Sequence, residues 1–203
     1  MSEARIYLIR HGETALNAAR ILQPPGTPLS ERGLAQASRL ARRLARSGLL
    51  RILCSDLRRA EMTAEALAGA TGLPLERDAD LAERDFGELR GRAYAELGLD
   101  PFAPGYTPPG GESWEAFHGR VERVWQRVDA AARRAGGPIA VVTHGLVCRA
   151  VVTRLCELAP GLTCERAGWR NTSLTVLEDA GGWRVTLLDC VAHLDEVAEV
   201  GEA

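Results

Sequence analysis

The chain has 203 residues, 46% of them hydrophobic, and a formal net charge of −2 at neutral pH. That length and apolar content bury one substantial core, and a single domain over residues 1–203 is the expectation. A near-neutral balance provides no global field for nucleic acid or an anionic membrane, and no apolar run reaches the length of a membrane span. All 25 basic residues are arginine, so any side chain that grips an anion through a permanent charge is a guanidinium.

Along the chain, Ile6-Tyr7-Leu8-Ile9 reads as a short buried strand, and Arg10-His11-Gly12-Glu13-Thr14 follows at its end. Ser30 offers a helix N-cap, after which Leu34, Ala37, Leu40, Ala41 and Leu44 keep helical spacing up to Gly48. Leu49 to Cys54 reads as a second buried strand, Arg58 to about Thr71 as a helix stopped by Gly72, and Pro74 to Arg77 as a short strand. Gly98 to Gly111 holds four prolines and reads as a loop that covers a cleft. Trp114, Phe117, Val121, Val124, Trp125 and Val128 mark one face of a long helix closed by Gly136-Gly137. Pro138 to Thr143 is another buried strand, ending at His144-Gly145, and Leu146 to about Leu158 reads as a helix. Ser173 to Glu178 and Trp183 to Leu188 flank Ala180-Gly181-Gly182 as a hairpin. Strands alternating with helices predict an α/β fold: a three-layer α/β/α sandwich with a mainly parallel sheet and at least one antiparallel strand.

Cys54, Cys148, Cys156, Cys164 and Cys190 form no C-x-x-C pair, and no signal-peptide pattern is evident, so a reduced, cytoplasmic protein is expected. Neither the cysteines nor the four histidines show ligand spacing, so no metal and no cofactor are expected.

Two histidines share one local context. His11-Gly12 and His144-Gly145 each stand just beyond an apolar strand. In an open parallel sheet such positions gather in one crevice at the carboxyl ends of the strands, so residues far apart in sequence can meet there. Ser55-Asp56-Leu57-Arg58-Arg59-Ala60 also follows a strand and opens a helix, whose free N–H groups favour anions. Arg58 and Arg59 point about 100° apart on a helix, so only one of them faces a pocket. Leu81 to Gly87 carries an acidic cluster in which Glu83 competes with Asp85 and, just beyond, Glu88. Imidazole is a nucleophile and guanidinium forks grip phosphoryl oxygens, so the pattern points to phosphoryl transfer to histidine. Glu13 stays open between a turn role and a pocket role. His118 reads as a surface residue and His193 as a packing or hydrogen-bonding one.

Taken together and in order, these motifs resemble the histidine phosphatase superfamily, in the phosphoglycerate-mutase-like branch that carries R-H-G-E-T. The resemblance rests on Arg10 to Thr14 with Asn17; Pro28-Leu29-Ser30 with Gly33; Ser55-Asp56-Leu57 with Arg59-Ala60 and Thr63-Ala64; Leu81 with Glu83, Phe86-Gly87 and Gly91; Gly110-Gly111-Glu112-Ser113; and Thr143-His144-Gly145. It implies His11 as a nucleophile that becomes phosphohistidine and Glu83 as proton donor. It also implies Arg10, Arg59 and His144 around the phosphoryl group, with Asn17 and Gly145 as further phosphate contacts, and it selects Arg59 over Arg58; His144, if protonated, adds a third donor there. Relatives commonly carry Gln-Gly and an aspartate before Pro-Leu, whereas here Gln23 is followed by Pro24-Pro25-Gly26-Thr27-Pro28. Proline has no N–H, so two backbone donors are absent from that stretch. Mutases of the superfamily place paired basic residues before Gly-Gly-Glu-Ser, whereas here Arg92 is the one cation between Arg92 and Gly110. The resemblance thus implies a metal-independent phosphomonoesterase acting on a small phosphorylated metabolite. The alternatives are a phosphoglycerate mutase and a non-catalytic phosphate-recognition module, and a homodimer is compatible with each.

Overall fold

A computed structural model describes residues 4–195. Seven strands form one sheet: β1 (Arg5–Arg10), β2 (Arg51–Cys54), β3 (Leu75–Arg77), β4 (Pro138–Thr143), β5 (Glu157–Leu158), β6 (Leu174–Asp179) and β7 (Trp183–Cys190). Their order is β3-β2-β4-β1-β6-β7-β5. Only β6 opposes the common direction, because it pairs antiparallel with both β1 and β7 while every other pairing is parallel.

The apolar runs alternate their side chains across this sheet, so both faces need a cover. Ile6, Leu8, Ile139 and Val141 point to one face, where α4 (Trp114–Ala135) and α5 (Gly145–Leu155) add Phe117, Val121, Val124, Val128, Val147 and Val151. Tyr7, Ile9, Ala140 and Val142 point to the other, covered by Leu40, Ala41 and Leu44 of α2 (Glu31–Leu44) and Ala60, Ala64 and Leu67 of α3 (Arg58–Thr71). The three-layer sandwich is therefore present. The chain leaves β1 towards α2 on one face and β4 towards α5 on the other. The crevice between these two neighbouring strands is the topological switch point of the sheet.

Several boundaries differ from expectation. The helix expected to reach Leu158 ends at Leu155, and Glu157–Leu158 instead adds an edge strand beside β7. Pro160 explains this, because its ring would clash with the carbonyl of Cys156, four residues back, in a continuing helix. The α2 helix stops at Leu44, and turn residues lead to Gly48 at φ +74°. One turn, α1 (Ala15–Ala18), has no apolar periodicity to announce it; Thr14 and Asn17 make it with a reciprocal capping box. Residues 97–113 contain neither helix nor strand, as the loop reading requires.

The strand-end turn after β1 packs tightly on the first turn of α2. A Cβ on Gly33 would stand 2.0 Å from the Glu13 carbonyl oxygen, and one on Gly12 would stand 2.8 Å from the Gly33 carbonyl oxygen. Glycine to alanine inside a helix normally stabilises by up to ~1 kcal/mol, but a rigid backbone contact reverses the sign. Gly33→Ala should destabilise by about 1–3 kcal/mol and lower the thermal midpoint measured by circular dichroism. An unchanged or higher midpoint would show that the turn has room to give.

Candidate active site

Strand register builds the site. Arg10 pairs with Thr143 in the β1–β4 ladder, and the His11 N–H donates to the Thr143 carbonyl at 2.9 Å, so His11 and His144 leave adjacent strands side by side. Their ring centroids lie 5.1 Å apart. On the far side of β4, the Ser55 N–H donates to the Val142 carbonyl, which brings the Ser55 hydroxyl within 2.8 Å of His144 Nε2. His11 Nδ1 lies 2.7 Å from the Gly12 carbonyl oxygen. A carbonyl can only accept, so Nδ1 carries the proton and Nε2 keeps its lone pair.

Both imidazoles are buried, at 2% and 0% exposure. Burial first, then the charges of Arg59 and Arg10, hold each well below the ordinary histidine value. His144 is therefore held in its neutral form, so any donor it offers is that of a neutral ring and not of an imidazolium. Ser55 Oγ accepts the Leu57 N–H and lies against His144 Nε2; in the tautomer where Ser55 donates to Nε2, His144 Nδ1–H is a neutral donor.

Arg59 is 2% exposed, and burial pushes its pKa down to about 10 despite the opposing pull of Glu83. Its Nη1 donates to the Pro24 carbonyl at 3.3 Å, so the proline-rich stretch that lacks N–H groups supplies an acceptor instead. Arg58 turns to Glu61 and Glu65, which settles the choice between the adjacent arginines. Arg10 Nη1 donates to the Trp169 carbonyl, and its guanidinium passes beside Gly145. Among the described residues, the buried side-chain nitrogen and oxygen atoms left without a hydrogen-bond partner are Arg10 Nε, Arg59 Nε and His144 Nδ1. All three belong to this cluster, and all three donate.

Glu83 accepts from the Leu146 N–H at 3.2 Å and from the Arg84 N–H at 3.0 Å. Burial raises its pKa, while those two amides, Arg59 and Arg10 pull the other way. The Leu146 amide belongs to the first turn of α5, so one helix start anchors both Glu83 and His144. Arg120 fixes the approach to Glu83 by donating to the Asp80 and Ala82 carbonyls at 2.7 and 2.8 Å. A cavity of ≈ 130 Å³ is lined by Arg10, His11, Asn17, Arg59, Glu83 and, at its rim, Arg90. His144 is not among the lining residues, but its ring packs beside that of His11.

Asn171 and Arg84 take part without a sequence signal, and Gln23 joins them. Asn171 Nδ2 donates to the His11 carbonyl at 3.1 Å and lies beside Asn17. Gln23, in the stretch that departs from the family pattern, accepts the Thr14 hydroxyl at 2.6 Å and lines the cavity. Arg84 is buried and donates to the Pro101, Tyr106 and Glu112 carbonyls, which pins the 97–113 loop against Glu83. Glu13 lies outside the lining and ties the turn to Ser30 and Arg32. His193 is buried between Thr172 and Arg43, a hydrogen-bonding role. His118 is half-buried, stacked on Trp114 with centroids 5.6 Å apart.

A histidine pair under two guanidiniums at the carboxyl end of a parallel sheet is an arrangement built for a phosphate-like anion. Residues 6–190 match the sequence model of the histidine phosphatase superfamily (branch 1), and the chain belongs to that family. It is 34% identical to a phosphoglycerate mutase-like protein of Arabidopsis thaliana, over 95% of this chain and 88% of the relative. It is 32% identical to a probable phosphoglycerate mutase of Yersinia pestis, over 94% and 95%. Among solved structures, a mycobacterial glucosyl-3-phosphoglycerate phosphatase superposes with TM-score 0.76 at 29% identity, covering 92% of this chain and 99% of the other. A putative α-ribazole-5′-phosphate phosphatase from Escherichia coli gives TM-score 0.76 at 27% identity, covering 92% and 96%. No helix among the described residues is long and apolar enough to cross a membrane.

A buried cation with an orphaned donor costs stability that only a bound anion restores. Arg59→Met should therefore relieve about 1–3 kcal/mol and raise the thermal midpoint by a few degrees. Inorganic phosphate should raise the wild-type midpoint and leave that of Arg59→Met nearly unmoved. Scanning calorimetry with and without phosphate measures both, and a phosphate shift retained by the variant would contradict the assignment.

Proposed function

We propose that this protein is a phosphatase that hydrolyses a small phosphate monoester through a phosphohistidine on His11. The observation that carries the reading is the convergence of the three orphaned donors, Arg10 Nε, Arg59 Nε and His144 Nδ1, beside a His11 whose Nε2 is free and unprotonated. In the first step Nε2 attacks phosphorus and the ester P–O bond breaks. The two guanidiniums and His144 Nδ1–H stabilise the charge spread over the equatorial oxygens. Glu83, protonated through its raised pKa, gives its proton to the departing oxygen. In the second step the Glu83 carboxylate takes a proton from water, the hydroxide oxygen bonds to phosphorus, and the N–P bond breaks. Neutral His11 and protonated Glu83 are restored and inorganic phosphate leaves. The positive charge throughout comes from side chains of the chain itself.

A second reading, phosphoglycerate mutase, draws on Arg90. Arg90 lies on the cavity lining with Arg10, Arg59 and Arg84, two residues before the cation-poor interval from Arg92 to Gly110. Isomerisation of phosphoglycerate stimulated by a bisphosphate primer would favour it over hydrolysis.

Hydrolysis of an aryl phosphate in a metal-chelating buffer, with trapping of acid-labile, base-stable phosphoprotein, tests the main reading. His11→Ala should lose both turnover and the trapped label, and full activity in that variant would end the proposal. The pH dependence follows from the two groups. His11 is pushed down and stays nucleophilic below pH 6.5, while Glu83 is pushed up and delivers its proton only until the pH passes its raised pKa. The kcat/KM of wild-type protein should thus fall on the alkaline side. Glu83→Gln should cost roughly 10²–10⁴-fold on an alkyl phosphate and much less on nitrophenyl phosphate, whose leaving group needs no proton. Equal losses on the two esters would remove Glu83 from the acid role.

A further inference from the structure

The cavity over His11 measures ≈ 130 Å³, well short of the roughly 300–1,000 Å³ of small-molecule sites. It accommodates a phosphoryl group but not the body of a metabolite. A second cavity of ≈ 400 Å³ adjoins it, and Phe102 and Leu146 line both. Leu146 is also the residue whose amide holds Glu83. The acid and the Phe102–Leu146 sill thus share Leu146, so a leaving group that passes this residue extends over the sill, whereas one that passes Leu57 and Arg90 would enter a third cavity that Glu83 also lines.

The second cavity has a defined chemistry. Trp114, Phe117 and Phe102 give it an aromatic wall. Trp114 is held by its indole N–H on the Ala103 carbonyl at 2.9 Å and by the Arg84 guanidinium 4.0 Å from its ring centroid. Leu146, Arg149, Ala150 and Thr153 line the opposite side at i, i+3, i+4 and i+7 along α5, the spacing of one helical face. At the outer end Arg154 is already paired with Glu122, whereas exposed Arg149 has no carboxylate partner among the described residues. Trp114 is already stacked on His118, so the half-exposed Phe102 and the apolar face of α5 supply the surface at the sill. With one uncompensated guanidinium beyond them, they suit a planar apolar body with an anionic end.

We propose that this second cavity is the leaving-group subsite, and that the substrate is a phosphate monoester of a planar, largely apolar alcohol carrying an acidic group met by Arg149. The inference rests on the phosphatase reading for its chemistry but is testable apart from it. Phenyl phosphate, 4-biphenylyl phosphate and its 4′-carboxy derivative release phenols of similar acidity, so their kcat/KM ratios report binding. Wild-type protein should prefer the biphenylyl over the phenyl ester about tenfold, chiefly through KM, and the carboxylate should add about threefold. Thr153→Trp, a change at an exposed position, should bring the biphenylyl-to-phenyl ratio near one. Arg149→Gln should abolish the carboxylate increment alone. Calorimetric binding of the same three esters reads the same ratios without turnover. If hydrolysis is absent but the binding ratios appear, the phosphatase reading falls and the subsite stands. Equal treatment of the phenyl and biphenylyl esters, or ratios unmoved by Thr153→Trp, would overturn the subsite.

Discussion

Arg10 faces Thr143 across the two central parallel strands, and both strands end at that level. Everything chemical in the molecule depends on this register. It sets two imidazoles side by side and aligns Ser55, from the strand beyond β4, with the second of them. A slip of one residue would carry Tyr7 and Ile9 to the opposite face and separate the histidines, so the core packing that fixes the register also fixes the site. The apolar alternation of Ile6 to Ile9 against Ile139 to Val142 is thus a positional instruction as well as a source of stability.

Around that pair the protein holds positive charge in a place where it is unfavourable. Arg59 is buried with no ion-pair contact among the described residues, only the more distant pull of Glu83, and both histidines are forced neutral by burial and by the neighbouring guanidiniums. The same terms make the site useful. A neutral His11 keeps its lone pair, and donors with no protein partner are ready for an anion without prior rearrangement. Glu83 shows the complementary logic: it is buried enough to keep a proton longer than a surface carboxylate, yet two backbone amides hold it in place.

Much of the architecture was legible because apolar periodicity and strand-end glycines are strong signals. The two His-Gly turns stood out for that reason, and the choice of Arg59 over Arg58 followed from helical geometry together with motif position. Other parts were illegible for equally physical reasons. Trp169 and Leu146 act through backbone groups, which leave no mark on residue type. Asn171 lies 160 residues from His11 and meets it only because β6 docks antiparallel on β1. Arg84 looks like any charged loop residue, and only the folded chain shows it buried among carbonyls. The charge state of His144 is open from the sequence for the same reason, because a lone sequence gives no measure of how completely an imidazole is desolvated.

The segment that follows residue 168 carries an unusual backbone. Trp169 and Thr172 adopt φ of +47° and +55°, and Asp189, whose carboxylate accepts the Gly168 and Arg170 N–H groups, adopts +48°. Such conformations are costly for side chains of this kind and persist only where surrounding contacts enforce them. Here they aim the Trp169 carbonyl at Arg10 and Asn171 at the His11 carbonyl. Arg10 and the His11 turn are therefore oriented from a distant part of the chain, by a segment that is itself braced on Asp189 of β7. Damage to the β6–β7 hairpin would thus reach the guanidinium and imidazole groups at the end of β1 without touching either one directly.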